Sequence, residues 1–255
     1  MITALHTDIG IRKKVNQDSM IVMQASAEGM GKVLMAAVCD GMGGLHDGEL
    51  ASKETVMSLK KWFEGELPQL LEKGLTTRRF EESLNRMILK VDERMNLYSF
   101  EKGDCGTTLA GIVMADGKFG CVNIGDSRIY RIRSGKLAQL THDQSVVQKE
   151  IDEGRLTEEE AAGHPQRNVL LQCIGAGCEV TAEYSYGLYK EGDVFIVCSD
   201  GFRHKLTKEE IADMFDGRKL HTEEELKEAA VRAVEENKAR KEKDNISVIV
   251  VRIEE

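Results

Sequence analysis

Four short apolar runs, each meeting an acidic residue at one end, constrain this chain more than any other feature. Residues 33–39 run into Asp40, residues 121–124 into Gly125-Asp126, and Val194–Cys198 into Ser199-Asp200; Asp244-Asn245 leads into residues 246–253. Runs of this length, rich in Val and Ile, read as buried strands and are far too short to cross a membrane. An ionised carboxylate is costly to bury alone, but at a strand end it can sit at the rim of the core on rigid support.

The rest of the pattern builds layers around those strands. Residues 20–25 and 33–39 predict two early strands. Residues 49–67 and 78–98 predict helices, the second with Phe80, Leu84, Met87, Ile88, Val91 and Met95 at three- and four-residue spacing. Residues 109–115 and 118–124 flank Asp116-Gly117, and residues 128–133 and 136–140 flank Ser134-Gly135, so 107–140 predicts an antiparallel meander with tight turns. Residues 142–180 are polar and irregular, with short helices expected at 145–153 and 157–162; Thr157 and Glu160 fit a capping box. Strand Val194–Cys198, helices at 208–215 and 223–240, and a closing strand at 246–253 complete the chain. The long helices fall between groups of strands without a regular strand–helix repeat. The expected class is α+β: a four-layer α-β-β-α sandwich of two mainly antiparallel sheets flanked by helices. With two prolines and no linker-like tract, residues 1–255 are expected to form one domain.

The formal net charge of −9 disfavours nucleic acid and anionic membranes as partners and suits a protein that gathers divalent cations. Six cysteines form no Cys-x-x-Cys pair, which argues against a zinc knuckle and for a reducing compartment. The first ten residues lack the basic and apolar regions of a signal peptide. A cytoplasmic monomer is expected.

Several carboxylates meeting at strand ends repel one another unless a cation neutralises them. A glycine after Asp lets the chain turn sharply and frees a carbonyl as a further ligand. Oxygen donors without clustered His or Cys select hard ions, Mg²⁺ or Mn²⁺. One Asp-Gly pair is most often only a turn; four strand-end aspartates beside the run Gly41–Gly44 are a stronger signal. Arg12, Lys13 and Lys14 precede Asn16-Gln17-Asp18, so a basic cluster stands next to a further acid.

The ordered set of motifs resembles the metal-dependent protein phosphatase family, the type 2C serine/threonine phosphatases, in its compact bacterial form. The matching stretches are Thr7-Asp8-Ile9-Gly10, Asn16-Gln17-Asp18-Ser19, residues 38–44, Gly48-Glu49-Leu50-Ala51-Ser52, Gly106-Thr107-Thr108-Leu109, Asn123-Ile124-Gly125-Asp126-Ser127-Arg128, residues 140–145, Ser199-Asp200-Gly201 and Asp244-Asn245. They cover nearly the whole chain. The resemblance implies a double β sandwich between helical layers. It implies that Asp40 bridges two Mn²⁺ or Mg²⁺ ions, that Gly41 offers a carbonyl, and that Asp200 and Asp244 complete the pair. Asp126 with Asp200 would hold a third, weaker ion, and Asp18 would act through metal-bound water. The attacking group would be a metal-bound water held by Asp40, with no covalent intermediate, and the substrates phosphoserine and phosphothreonine proteins, products of a serine/threonine kinase. The family's usual phosphate-binding arginine is Lys13 here, with Arg12 one residue earlier; Arg binds phosphate bidentately and Lys as a point charge. Met42 stands where eukaryotic relatives often carry His, which leaves a metal-bound water as the expected leaving-group acid. Residues 142–168 correspond to the family's flap and are expected to select substrate; His164, at its end, is expected in a structural hydrogen bond.

Other phosphatase chemistries fit less well. A cysteine phosphatase needs five residues between Cys and Arg; Cys198 to Arg203 has four and Cys121 to Arg128 has six. Neither an Asp-x-Asp after the first strand nor a Gly-x-x-x-x-Gly-Lys loop is present. The rival from another class is a catalytically weak signalling or binding protein that retains the fold.

Overall fold

The computed structural model describes residues 1–27, 29, 31–42 and 47–254. In chain order the elements are β1 (Ile2–Asp8), β2 (Asp18–Ala27), β3 (Gly31–Asp40), α1 (Gly48–Gly65), α2 (Leu67–Glu72), α3 (Thr77–Lys102), β4 (Leu109–Ala115), β5 (Lys118–Ile124), β6 (Arg128–Arg133), β7 (Lys136–Gln139), α4 (Val146–Asp152), α5 (Glu158–Ala162), β8 (Glu183–Leu188), β9 (Val194–Cys198), α6 (Asp200–Arg203), α7 (Lys208–Met214), α8 (Glu223–Ala239) and β10 (Ile246–Arg252). Gly43 and Gly44, half of the glycine-rich run, lie outside the described residues.

The strands form two five-stranded sheets, β1-β10-β9-β6-β7 and β2-β3-β4-β5-β8, and every pairing between them is antiparallel. Side chains alternate across a strand, and on the central strands both faces are covered. On β3, Val33, Met35, Ala37 and Cys39 pack with Trp62, Phe63, Phe80 and Leu84 from α1 and α3. Leu34, Ala36 and Val38 face the other sheet. On β10, Val248 and Val250 pack with Leu226, Ala230 and Val234 of α8, while Ile249 and Val251 face inward. That double burial is why these strands read as uninterrupted apolar runs. The result is the expected α-β-β-α order. Phe119 and Phe195 meet edge to face across the inner layer at 5.2 Å, a geometry worth about 0.5–1.5 kcal/mol beyond the buried area.

Local signals account for most element ends. Thr76 caps α3 by accepting from the Arg79 N–H, and Thr157 and Glu160 form the expected capping box on α5. Both tight turns place their two central residues at positive φ: 49° and 72° at Asp116-Gly117, 52° and 76° at Ser134-Gly135. These are the backbone angles that match the twist of a two-residue hairpin. The structure adds two edge strands, β1 and β8, and breaks the first expected helix at Glu66, after which Pro68 sits in the first turn of α2.

Candidate metal and phosphate site

The acid-bearing strand ends converge at one edge of the sandwich. Asp18 opens β2 and Asp40 closes β3, and the two are directly opposite in the ladder. The Asp40 carbonyl accepts from the Thr108 N–H at 2.9 Å and the Thr107 hydroxyl at 3.0 Å, and its N–H donates to Thr108 Oγ1 at 3.0 Å. Asp200 follows β9 directly. Asp244 precedes β10, and its neighbour Asn245 clamps the basic loop: Nδ2 donates to the carbonyls of Ile9 and Val15, and Oδ1 accepts from the Gln17 N–H.

Two glycines let these loops approach. A Cβ on Gly41 would lie 2.4 Å from the Gly48 carbonyl oxygen and 2.5 Å from that of Gln17. A Cβ on Gly201 would lie 2.1 Å from the Asn245 carbonyl oxygen. The glycine after each Asp is therefore fixed by backbone packing.

The electrostatics are those of acids held together. Burial, then the negative charges of Asp18, Asp200, Asp126 and Asp244, holds the Asp40 carboxyl well above the usual carboxylate range. Burial also pushes Asp18 up to about 6, against a 2.9 Å hydrogen bond from the Ser199 hydroxyl. Asp126 is likewise pushed up to about 6 by burial, with Asp200 and Asp143 adding to it and Arg203 opposing it. Asp18 Oδ1 and Asp200 Oδ1 are buried without a hydrogen-bond partner. Buried oxygens left without donors are costly, and a divalent cation would satisfy them, so this oxygen-only donor set fits Mg²⁺ or Mn²⁺. As the side chains stand, no group of three or more acidic, His or Cys residues among those described closes on one point. Basic side chains are interposed instead. Lys13 Nζ is 2.5 Å from Asp244 Oδ1. Burial works against its charge, but Asp244, Asp40 and Asp200 raise its pKa. Arg203 Nη2 is 3.0 Å from Asp126 Oδ2.

Lys13, Asp126, Arg203 and Asp244 line a cleft of about 840 Å³. Among the described residues lining it, ten are Arg or Lys and five are Asp or Glu, a reversal of the chain's net acidity. Arg12, Lys13 and Lys14 form one wall; Gln148, Ile151, Arg167 and Asn168, from or next to the irregular segment, form another. His164 is turned to a local contact, its Nδ1 accepting from the Gln166 N–H at 3.2 Å. Sequence reasoning gave no role to Arg203, His204, Asp143 or Glu242, all of which line the cleft. Their place depends on which strands become neighbours; Asp143 and Arg128 did fall inside quoted motifs, and they form a bidentate pair at 2.8 and 2.7 Å.

Comparison with known proteins agrees with this geometry. Residues 11–237 match the family model described as protein phosphatase 2C. The chain is 32% identical to protein phosphatase PhpP of Streptococcus pneumoniae, over 84% of each. It superposes on the serine/threonine phosphatase of S. agalactiae with a TM-score of 0.84 and 31% identity, over 99% of both chains. It superposes on the catalytic domain of the serine/threonine phosphatase PstP, solved with two manganese ions, with a TM-score of 0.79 and 28% identity, over 99% of this chain and 98% of that one. With the family model spanning most of the sequence and both sheets superposing on solved members, this chain belongs to the protein phosphatase 2C family.

Proposed function

We propose that this protein is a metal-dependent phosphatase that hydrolyses phosphoserine and phosphothreonine in proteins, with Mn²⁺ or Mg²⁺ held by Asp40, the Gly41 carbonyl, Asp200 and Asp244. The observation that carries the reading is the convergence of strand-end carboxylates, with partnerless buried oxygens on Asp18 and Asp200, beside a basic cleft that Asp126 and Asp244 line. Divalent ions in such a site act as Lewis acids and bring the pKa of a water towards neutrality. The chain's own groups do the rest. Asp18, fixed by Ser199, supports the centre from behind Asp40. Lys13 and Arg12 bind the phosphoryl oxygens of the substrate, Lys as a point charge and Arg as a bidentate donor. Segment 142–168 lies along the cleft and selects among phosphoproteins made by a serine/threonine kinase. A monomer suffices, since every group named belongs to one chain.

A side-chain nucleophile is disfavoured. Cys39 and Cys198, the cysteines beside the acids in sequence, are fully buried, and burial pushes both thiols up, Cys198 to about 12, so neither carries a thiolate at neutral pH. Among the described residues, no helix is long and apolar enough to cross a membrane. The expectation of a fold kept without turnover finds no support, because no acidic position of the set is replaced.

The test is hydrolysis of p-nitrophenyl phosphate and of a phosphothreonine peptide with Mn²⁺. Turnover that disappears with chelator and in Asp200→Asn is expected. Wild-type rates no higher than those of Asp200→Asn would defeat the reading.

A further inference from the structure

The Asp126 corner of the site already contains a cation. Arg203 Nη2 donates to Asp126 Oδ2 and to the Asp126 carbonyl, both at 3.0 Å, and lies 3.4 Å from Asp143 Oδ2. Asp143 is in turn held bidentately by Arg128, which also donates to the Tyr130 hydroxyl at 3.0 Å. The side chains of Arg203 and Asp126 are only 13% and 9% exposed. The corner is therefore a chain of alternating charge, Asp126–Arg203–Asp143–Arg128, that balances without any added ion. The second carboxylate implied for a third metal, Asp200, likewise faces a basic side chain, with His204 Nε2 3.5 Å from its Oδ2. Arg203 and His204 are adjacent in sequence, immediately after Ser199-Asp200-Gly201-Phe202.

A divalent ion at Asp126 would have to displace a buried guanidinium or sit beside it as a like charge, and both are unfavourable. A guanidinium also cannot deprotonate to make room. We propose that Arg203 is a built-in cation in the place where family resemblance puts a third metal, so that this chain holds its two catalytic ions and none at Asp126. The inference rests on the two-metal reading above and narrows it. Its consequence is that the charge at this corner does not vary with metal concentration. Arg203 is thus a positioning residue, setting the charge and orientation of Asp126 and Asp143 along the cleft.

The experiment is a count of bound Mn²⁺ per chain by equilibrium dialysis with elemental analysis, on the full-length protein at saturating Mn²⁺. Wild type and Asp126→Asn should bind the same number of ions. Arg203→Gln, checked for native circular dichroism, should bind one more, and Arg203→Gln/Asp126→Asn should return to the wild-type count. One ion fewer in Asp126→Asn than in wild type would overturn the inference while leaving the two-metal reading intact. Arg203→Gln folded but without a gained ion would also overturn it. No Mn²⁺ bound to wild type would remove the two-metal reading, and the inference with it.

Discussion

Lys13 Nζ lies 2.5 Å from Asp244 Oδ1, so the cation assigned to phosphate is paired with an acid assigned to metal. A metal held by that carboxylate would free the ammonium for the cleft, whose lining includes Lys13, and there it could bind a phosphate. Charge-assisted hydrogen bonds contribute about 1.5–3 kcal/mol, about a tenfold change or more in binding. Lys13→Met should raise KM for a phosphopeptide by about tenfold and change kcat much less, with Lys13→Arg restoring most of the loss. Steady-state kinetics of the three proteins decides it. An unchanged KM in Lys13→Met would take this residue out of phosphate binding.

Gly201 packs against the backbone immediately after Asp244. A methyl group there would meet the Asn245 carbonyl oxygen at 2.1 Å, and neither partner is a flexible side chain. Gly201→Ala should push the Asp200 and Asp244 loops apart. A displacement near 1 Å at a reacting centre costs about 100-fold, so kcat/KM should fall by at least about that factor, with weakened Mn²⁺ binding by calorimetry. Gly65 is the comparison, since a Cβ there meets nothing within 4 Å. Gly65→Ala should keep full activity and gain up to about 1 kcal/mol from helix propensity.

Ser83 holds the indole of Trp62 in the helical layer. Trp62 Nε1 donates to Ser83 Oγ at 2.8 Å, and the serine hydroxyl donates to Glu66 Oε2 at 2.5 Å. Ser83→Ala would leave a buried N–H without an acceptor. A loss of about 1–3 kcal/mol is expected, read as a lower urea midpoint with unchanged slope. Because this layer is remote from the acids, the kinetics should stay as in wild type.

Glu210 gives the stability curve an acid limb. The hydrogen bonds from Arg240, with the Thr207 cap behind them, lower its pKa from 4.5 to about 2. A depressed carboxyl stabilises the fold above its unfolded pKa and loses that contribution as pH falls through the folded value. The melting temperature of Glu210→Gln should lie below wild type at pH 7, and the gap should narrow as pH falls from about 4.5 towards 2. A gap that does not vary with pH would show that the carboxylate charge is not its source.

How far the sequence reveals this molecule depends on burial. β3, β9 and β10 are legible because both their faces are covered, which leaves no polar interruption. β1 and β8 are not: each lies at a sheet edge, and among β1 residues only Ala4 is buried. Glu183–Leu188 alternates tyrosines with small residues, a pattern too weak to separate from the polar stretch before it. The break at Glu66 escaped because the apolar spacing continues through it to Leu67 and Leu71. In the site, Asp40, Asp126, Asp200 and Asp244 could be picked out because each adjoins an apolar run. Arg203 could not, since its partners Asp126 and Asp143 are 77 and 60 residues away. Nor could the clamp of Asn245 on the basic loop, which joins residues more than 200 positions apart.

The position of β10 between β1 and β9 has a kinetic consequence. Asp244 reaches the centre only when the last strand slots between one of the earliest and one of the latest parts of the chain. That is a contact of very high sequence separation, and such contacts are slow to form because a long loop must close first. The full acidic centre is thus a product of completed folding. A nascent chain that has not yet released residues 244–252 carries Asp18, Asp40, Asp126 and Asp200 without the strand that brings in the last acid. Onset of Mn²⁺ binding during refolding would report closure of the whole sandwich.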